Sequence, residues 1–158
     1  MLRATAIALA MFGALTVPAH ANGLKAEQIV EVATITLDAE GNEIRAYNAA
    51  EEVAPGDEVR YSLSYVNEGA LAAEAVSLVM PVPTEVAYIE ASAGGTPSTI
   101  TYSADGGANF VARDSLVVAS DQGARLATAE EITHIKWTFS DPIPAASQGA
   151  ISFSAVLK

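Results

Sequence analysis

The chain has 158 residues, no cysteine, eight basic and nineteen acidic residues and two histidines, for a formal net charge of −11. That charge excludes nucleic acid as a partner, since phosphate binding requires a basic face. The missing cysteines exclude disulfides, thiol catalysis, thiolate metal sites and a lipidated N-terminal Cys together.

In chain order the first element is a secretory signal. Arg3 supplies a positive start, Ala4 to Val17 form an apolar run of 14 residues, and Pro18 breaks it before Ala19-His20-Ala21, an A-x-A cleavage site. As a helix that run spans only about 21 Å, short of a hydrocarbon core of about 30 Å, so it reads as a signal cleaved after Ala21 and not as an anchor. No other stretch is long and apolar enough to span a bilayer. Cleavage leaves 137 residues, 22–158, with seven basic against nineteen acidic residues, a charge of −12, and His134 as the single histidine. The expected product is one exported domain, periplasmic or secreted to the cell surface, with no membrane span.

From residue 28 onward apolar residues alternate, and turn residues recur every eight to fifteen positions. Gln28 to Leu37 is a first strand, preceded by a short polar leader, Asn22 to Glu27. The turn Asp38-Ala-Glu-Gly-Asn42 lets the chain return through Glu43 to Asn48 as a hairpin. Pro55-Gly56-Asp57 is a second turn, in which Pro presets φ and Gly accepts positive φ, as type II requires. Glu58 to Asn67 then places Val59, Tyr61, Leu63 and Tyr65 on one face of a half-buried strand, and Asn67-Glu68-Gly69 ends it. Ala75 to Met80 runs into Pro81-Val-Pro83, which cannot continue a central ladder.

Further strands are expected at Val86 to Ala91, Ser98 to Tyr102 and Leu116 to Ala119, with a break at Gly94-Gly-Thr-Pro97 and a tight reversal from Ser103 to Phe110. Thr133 to Phe139 sets Ile135, Trp137 and Phe139 on one face, and Ile151 to Leu157 does the same with Ile151, Phe153, Ala155 and Leu157. Only Ala124 to Glu131 suggests a helical turn, too short to form a layer of the fold. The fold class is therefore all-β, an antiparallel β-sandwich of about 7–9 strands. Its core is expected around Tyr61, Leu63, Tyr65, Phe110, Trp137, Phe139 and Phe153, and its structural turns at Pro55, Gly56, Asp57, Ser103, Asp105, Gly106 and Gly107.

Several landmarks together resemble a known family. Val53-Ala-Pro-Gly-Asp-Glu-Val59-Arg-Tyr61, Tyr65-Val-Asn67-Glu-Gly69, Pro81-Val-Pro83, Ser103-Ala-Asp-Gly-Gly107 with Phe110, Thr133-His-Ile-Lys-Trp137 and Ile151-Ser-Phe-Ser-Ala155 are similar to the conserved-repeat domain of bacterial and archaeal cell-envelope proteins. The resemblance covers residues 28 to 158 and implies an Ig-like fold without a settled biochemical activity. It brings no catalytic residues. That family commonly occurs as tandem copies, whereas here one copy follows a signal directly.

Ser103-x-Asp105-x-Gly107-x-x-Phe110 is also similar to the Asp-box of sialidase propellers. A propeller needs four or more blades, which 137 residues with one such motif cannot build, so a structural hairpin is expected. His134 lies on the face opposite Ile135 and Trp137. With no Cys and no second His, a zinc site would need three or more carboxylates, which suit Ca²⁺ better. A Ser–His–Asp arrangement stays open, because its members need not be adjacent in sequence, although no Gly-x-Ser-x-Gly elbow is present. The expected role of His134 is a structural hydrogen bond.

Asp38, Glu40 and Glu43 form the candidate Ca²⁺ ligand group, and Glu51, Glu52, Asp57, Glu58, Glu130 and Glu131 add further loop acidity. None matches the D-x-[DN]-x-[DN]-G loop, and a solvated acidic surface is the plainer reading. Tyr47, Tyr88 and Tyr102 are candidates for a sugar-binding platform, against the plainer reading of core and cross-strand aromatics. The first strand could either pair at home with residues 43 to 48 or insert into a neighbouring subunit. The function expected is non-enzymatic: an exported structural or adhesive module of the cell envelope, self-assembling through its N-terminal strand, with an envelope or surface protein, or itself, as partner. A carbohydrate or surface-ligand module is the alternative within binding. A hydrolase accessory or cryptic enzyme is the alternative of another class.

Overall fold

The computed structural model describes residues 23–50 and 52–158. The signal at residues 1–21, its cleavage after Ala21, and Glu51 lie outside the described residues. Among the described residues eleven strands follow one another: β1 Leu24–Leu37, β2 Glu43–Ala49, β3 Glu58–Asn67, β4 Ser77–Pro81, β5 Val86–Tyr88, β6 Gly94–Gly95, β7 Ser98–Ser103, β8 Val117–Ser120, β9 Gly123–Leu126, β10 His134–Phe139 and β11 Gln148–Leu157. Every pairing is antiparallel. One sheet runs β2-β1-β3-β11-β5, with β6 also on β11; a second runs β4-β10-β7; β8 and β9 form a separate hairpin.

The two larger sheets face each other as an all-β sandwich. Val59, Tyr61, Leu63 and Tyr65 of β3 and Ile151, Phe153, Ala155 and Leu157 of β11 are buried on the inner face of the larger sheet. Leu78 and Met80 of β4 and Ile135, Trp137 and Phe139 of β10 meet them from the other side. Tyr61 stacks on its cross-strand partner Phe153 with ring centroids 5.0 Å apart, and Tyr65 crosses between sheets to meet Phe139 edge-on at 5.2 Å. The alternation of each strand thus becomes one continuous apolar core. Burial pushes the Tyr61 phenol up to about 12, helped by the charge of Glu85, and its oxygen has no hydrogen-bond partner.

Four differences from the sequence expectations have physical causes. β1 begins at Leu24, not Gln28, because Leu24 to Val32 pairs with Asn67 to Val59 of β3. The supposed leader hides its alternation behind small residues: Leu24 and Ala26 are half-buried while Lys25 and Glu27 face solvent. Ala124 to Glu131 is not a helical turn throughout, since Gly123–Leu126 pairs with β8 as β9. Only Ala129–Glu131 turns, as a 3₁₀ segment capped reciprocally by Thr128 and Glu131. Eight residues cannot repay helix nucleation, and a strand partner lay closer. Eleven strands replace seven to nine because β6 and β9 fall in stretches read as a break and a turn. Phe110, finally, is not a core residue. It lies half-buried on the solvent side of the smaller sheet, beneath the Lys136 ammonium at 4.4 Å from the ring centre. The Asp105 turn uses the chain as far as Asn109, so only a single bridge, Tyr102 to Val111, remains of the second hairpin arm.

Candidate functional site

The Pro55 turn is type II as read: Asp57 N–H donates to Ala54 C=O at 3.0 Å, and Gly56 holds φ 97°. The Ser103–Gly107 segment is a hydrogen-bonded knot. Ser103 Oγ–H donates to Asp105 Oδ1 at 2.6 Å and accepts from the N–H groups of Asp105 and Gly107. Asp105 Oδ1 also accepts from the N–H groups of Ala108 and Asn109, and its Oδ2 from the Asn109 amide at 2.7 Å. Donations from Ser103 and Asn109 hold the Asp105 carboxyl far below the usual carboxylate range.

His134 pairs with Ser103 across β7 and β10, so the fold does bring Ser103, Asp105 and His134 together. Their wiring is not that of a triad. Ser103 is fully buried and donates to Asp105, while His134 Nδ1 meets Thr133 Oγ1 at 3.2 Å. The serine oxygen bonds the Asp105 carboxylate directly with no imidazole between them, and burial lowers the histidine pKa against the pull of Asp105. The His134 ring packs instead beside Gly107, whose φ of 86° admits the turn.

The tyrosine platform does not form. Tyr88 and Tyr102 are buried with hydroxyls 3.2 Å apart, bridging the two sheets, because both alternate in phase with apolar neighbours. Tyr47 is half-buried on β2 with the Arg60 guanidinium 3.7 Å above its ring. Among the acidic candidates, Asp38 accepts from the N–H groups of Glu40 and Asn42 and from the Asn42 side chain, which lowers its pKa. Its oxygens serve the turn. Among the described residues no three His, Asp or Glu side chains converge as metal ligands.

The unusual chemistry lies at the N-terminal hairpin. β2 pairs only with Glu31 to Leu37 of β1, and β3 only with Leu24 to Val32, so the distal half of the hairpin projects past the sandwich. Ile35, Leu37 and Ile44 there are 51%, 68% and 49% exposed, and Ile29 also reaches solvent. A clamp holds the hairpin at its base. Arg60 of β3 pairs with Glu31 of β1 at 2.8 Å and covers Tyr47 of β2, whose hydroxyl donates to Glu58 at 3.0 Å. Val117 and Leu126, paired on the β8–β9 hairpin, form a second exposed apolar spot.

Sequence reasoning missed one buried polar hub. Asn67 is fully buried, and its amide donates to the carbonyls of Leu71, Ile143 and Pro144 while its oxygen accepts from Gly69 N–H. An Asn-Glu-Gly turn marks the strand end, but two of the three carbonyls it meets come from more than seventy residues away. A shallow groove of about 780 Å³ lies on the solvent face of the larger sheet, lined by Lys25, Glu27, Ser64, Val66 and Gln148. No helix among the described residues is long and apolar enough to cross a membrane. No family model, curated protein or solved structure matches the chain.

Proposed function

We propose that this chain is a non-enzymatic, exported, Ig-like β-sandwich module with a structural or adhesive role in the cell envelope, assembling through its N-terminal strand. The observation that carries this reading is a hairpin projecting from the sandwich with exposed apolar side chains on both faces, Ile35 and Leu37 on one and Ile44, paired with Thr36, on the other. Large apolar side chains held out past the sandwich favour a macromolecular contact. The signal-like residues 1–21 favour export, and the resemblance of residues 28–158 to envelope repeat domains favours the cell surface as destination. The polar groups that would serve chemistry, Ser103, Asp105 and His134, are committed to holding a turn.

Cell fractionation with electron microscopy of cells carrying and lacking the protein tests this reading. The expected result is a chain cut after Ala21, found in the envelope fraction, whose loss alters the cell surface. An uncut chain retained in the cytoplasm overturns it.

A further inference from the structure

The stagger of β2 along β1 leaves a defined slot. On the side of β1 away from β3, no strand among the described residues pairs with Leu24 to Ile29. The hydrogen-bond parity of that edge is fixed. Gly23 C=O accepts from Glu68 N–H on the β3 side, whereas Val30 C=O accepts from Ala50 N–H on the opposite side. Backbone groups alternate along a strand, so Leu24, Ala26 and Gln28 point theirs into the slot. The slot is closed at Val30 by Ala50, and its midpoint is Ala26.

We propose that this edge binds the same edge of a second copy, antiparallel and centred on Ala26. A two-fold axis at Ala26 sets Ala26 opposite its counterpart and Leu24 opposite Gln28, so all three outward-pointing residues exchange backbone bonds with the partner copy. On the solvent face the same register places Lys25 opposite Glu27, twice. Glu27 has no ionic partner among the described residues, and Lys25 has only the exposed Glu68, at 2.6 Å. Strand 24–28 is therefore self-complementary in charge, in a chain whose net charge otherwise opposes association. Centring elsewhere leaves Lys25 or Glu27 facing an uncharged residue or wastes slot positions. A two-fold contact of this kind closes as a dimer and joins two sheets into one.

This interface rests on the assembly reading above and names its surface and partner. Sedimentation equilibrium of the chain from Asn22 to Lys158, at concentrations up to about 1 mM, tests it with four proteins: wild type, Lys25→Glu, Glu27→Lys and Ala26→Pro. Wild type is expected to dimerise reversibly. Each charge variant sets like charges opposite each other twice and weakens its own dimer about tenfold, whereas an equimolar mixture of the two restores wild-type affinity. Ala26→Pro removes an amide that the home sheet does not use, so it abolishes the dimer while circular dichroism stays unchanged. A monomeric wild type, charge variants that dimerise as well as wild type, or a mixture that fails to recover overturns the interface, and the mixture decides even where the proline variant is misfolded. Higher oligomers indifferent to all three substitutions remove this interface and leave assembly standing. A dimer behaving as stated, in a protein absent from the envelope, removes the functional reading and leaves the interface.

Discussion

The β3–β11 ladder and the β1–β2 ladder are both antiparallel, with nine and seven paired positions, yet one lies at the centre of the molecule and the other reaches out of it. Their backbone bonds are of the same kind. What separates them is what their side chains meet: every second residue of β3 and β11 enters the core, whereas β2 is exposed almost throughout. The contrast repeats in their turns. Asp38 and Asp105 each carry an Asn four residues on, and each carboxylate binds the same kinds of groups. Asp105, however, is also tied to the buried Ser103, while Asp38 closes a free tip. Hydrogen bonding shapes both regions, and burial makes only one of them a stability determinant.

Substitutions in the two ladders give the largest test of that contrast. Trp137→Ala, opposite β3 and β11 in the core, should lose about 3–5 kcal/mol in denaturant unfolding, whereas Leu37→Ala on the projecting hairpin should stay within about 0.5 kcal/mol. A loss at Leu37 comparable to that at Trp137 breaks the distinction. Asn67→Ala should cost about 2–3 kcal/mol, because it removes the buried amide that joins the Leu71, Ile143 and Pro144 carbonyls and takes from Gly69 N–H its acceptor; calorimetry that finds no change removes its role as a hub. The paired turns come next: Asp105→Ala should lower the melting temperature and Asp38→Ala should leave it unmoved.

Acid unfolding sharpens the same comparison at smaller scale. The ion pair with Arg125 and the Thr128 N–H pull Glu131 down from 4.5 to about 2. A carboxyl with a depressed folded pKa contributes stability above its unfolded value and loses it as pH falls through the folded one. Glu131→Gln should therefore flatten the pH dependence of stability between about 4.5 and about 2. Asp105→Asn should do likewise, from about pH 4 downward. The smallest effect belongs to Tyr61→Phe, which removes a buried hydroxyl without a hydrogen-bond partner and should change stability by less than about 1 kcal/mol in either direction.

The sandwich was legible wherever bulky apolar residues alternate with polar ones. Tyr61, Leu63, Tyr65, Trp137, Phe139 and Phe153 are all buried, as that alternation demands. Legibility failed where side chains are small or where a partner strand decides. The alternation of Leu24 to Glu27 depends on Ala26, a weak apolar signal, and Gly94–Gly95 becomes a strand only because β11 runs beside it. Ser103, Asp105 and His134 were each conspicuous as residue types, but only their hydrogen-bond directions distinguish a turn from a triad.

By itself, then, the sequence determines the all-β class, the inward faces of β3, β10 and β11, and the turn chemistry at Pro55-Gly56 and Asp105, because these follow from local periodicity and from the φ that Pro and Gly permit. Tertiary structure alone decides the stagger of β1 between β2 and β3, the outward parity of Leu24, Ala26 and Gln28, and the convergence of distant carbonyls on Asn67. Those depend on which strands lie side by side and in what register. A one-residue slip would reverse every assignment without changing a letter of the sequence.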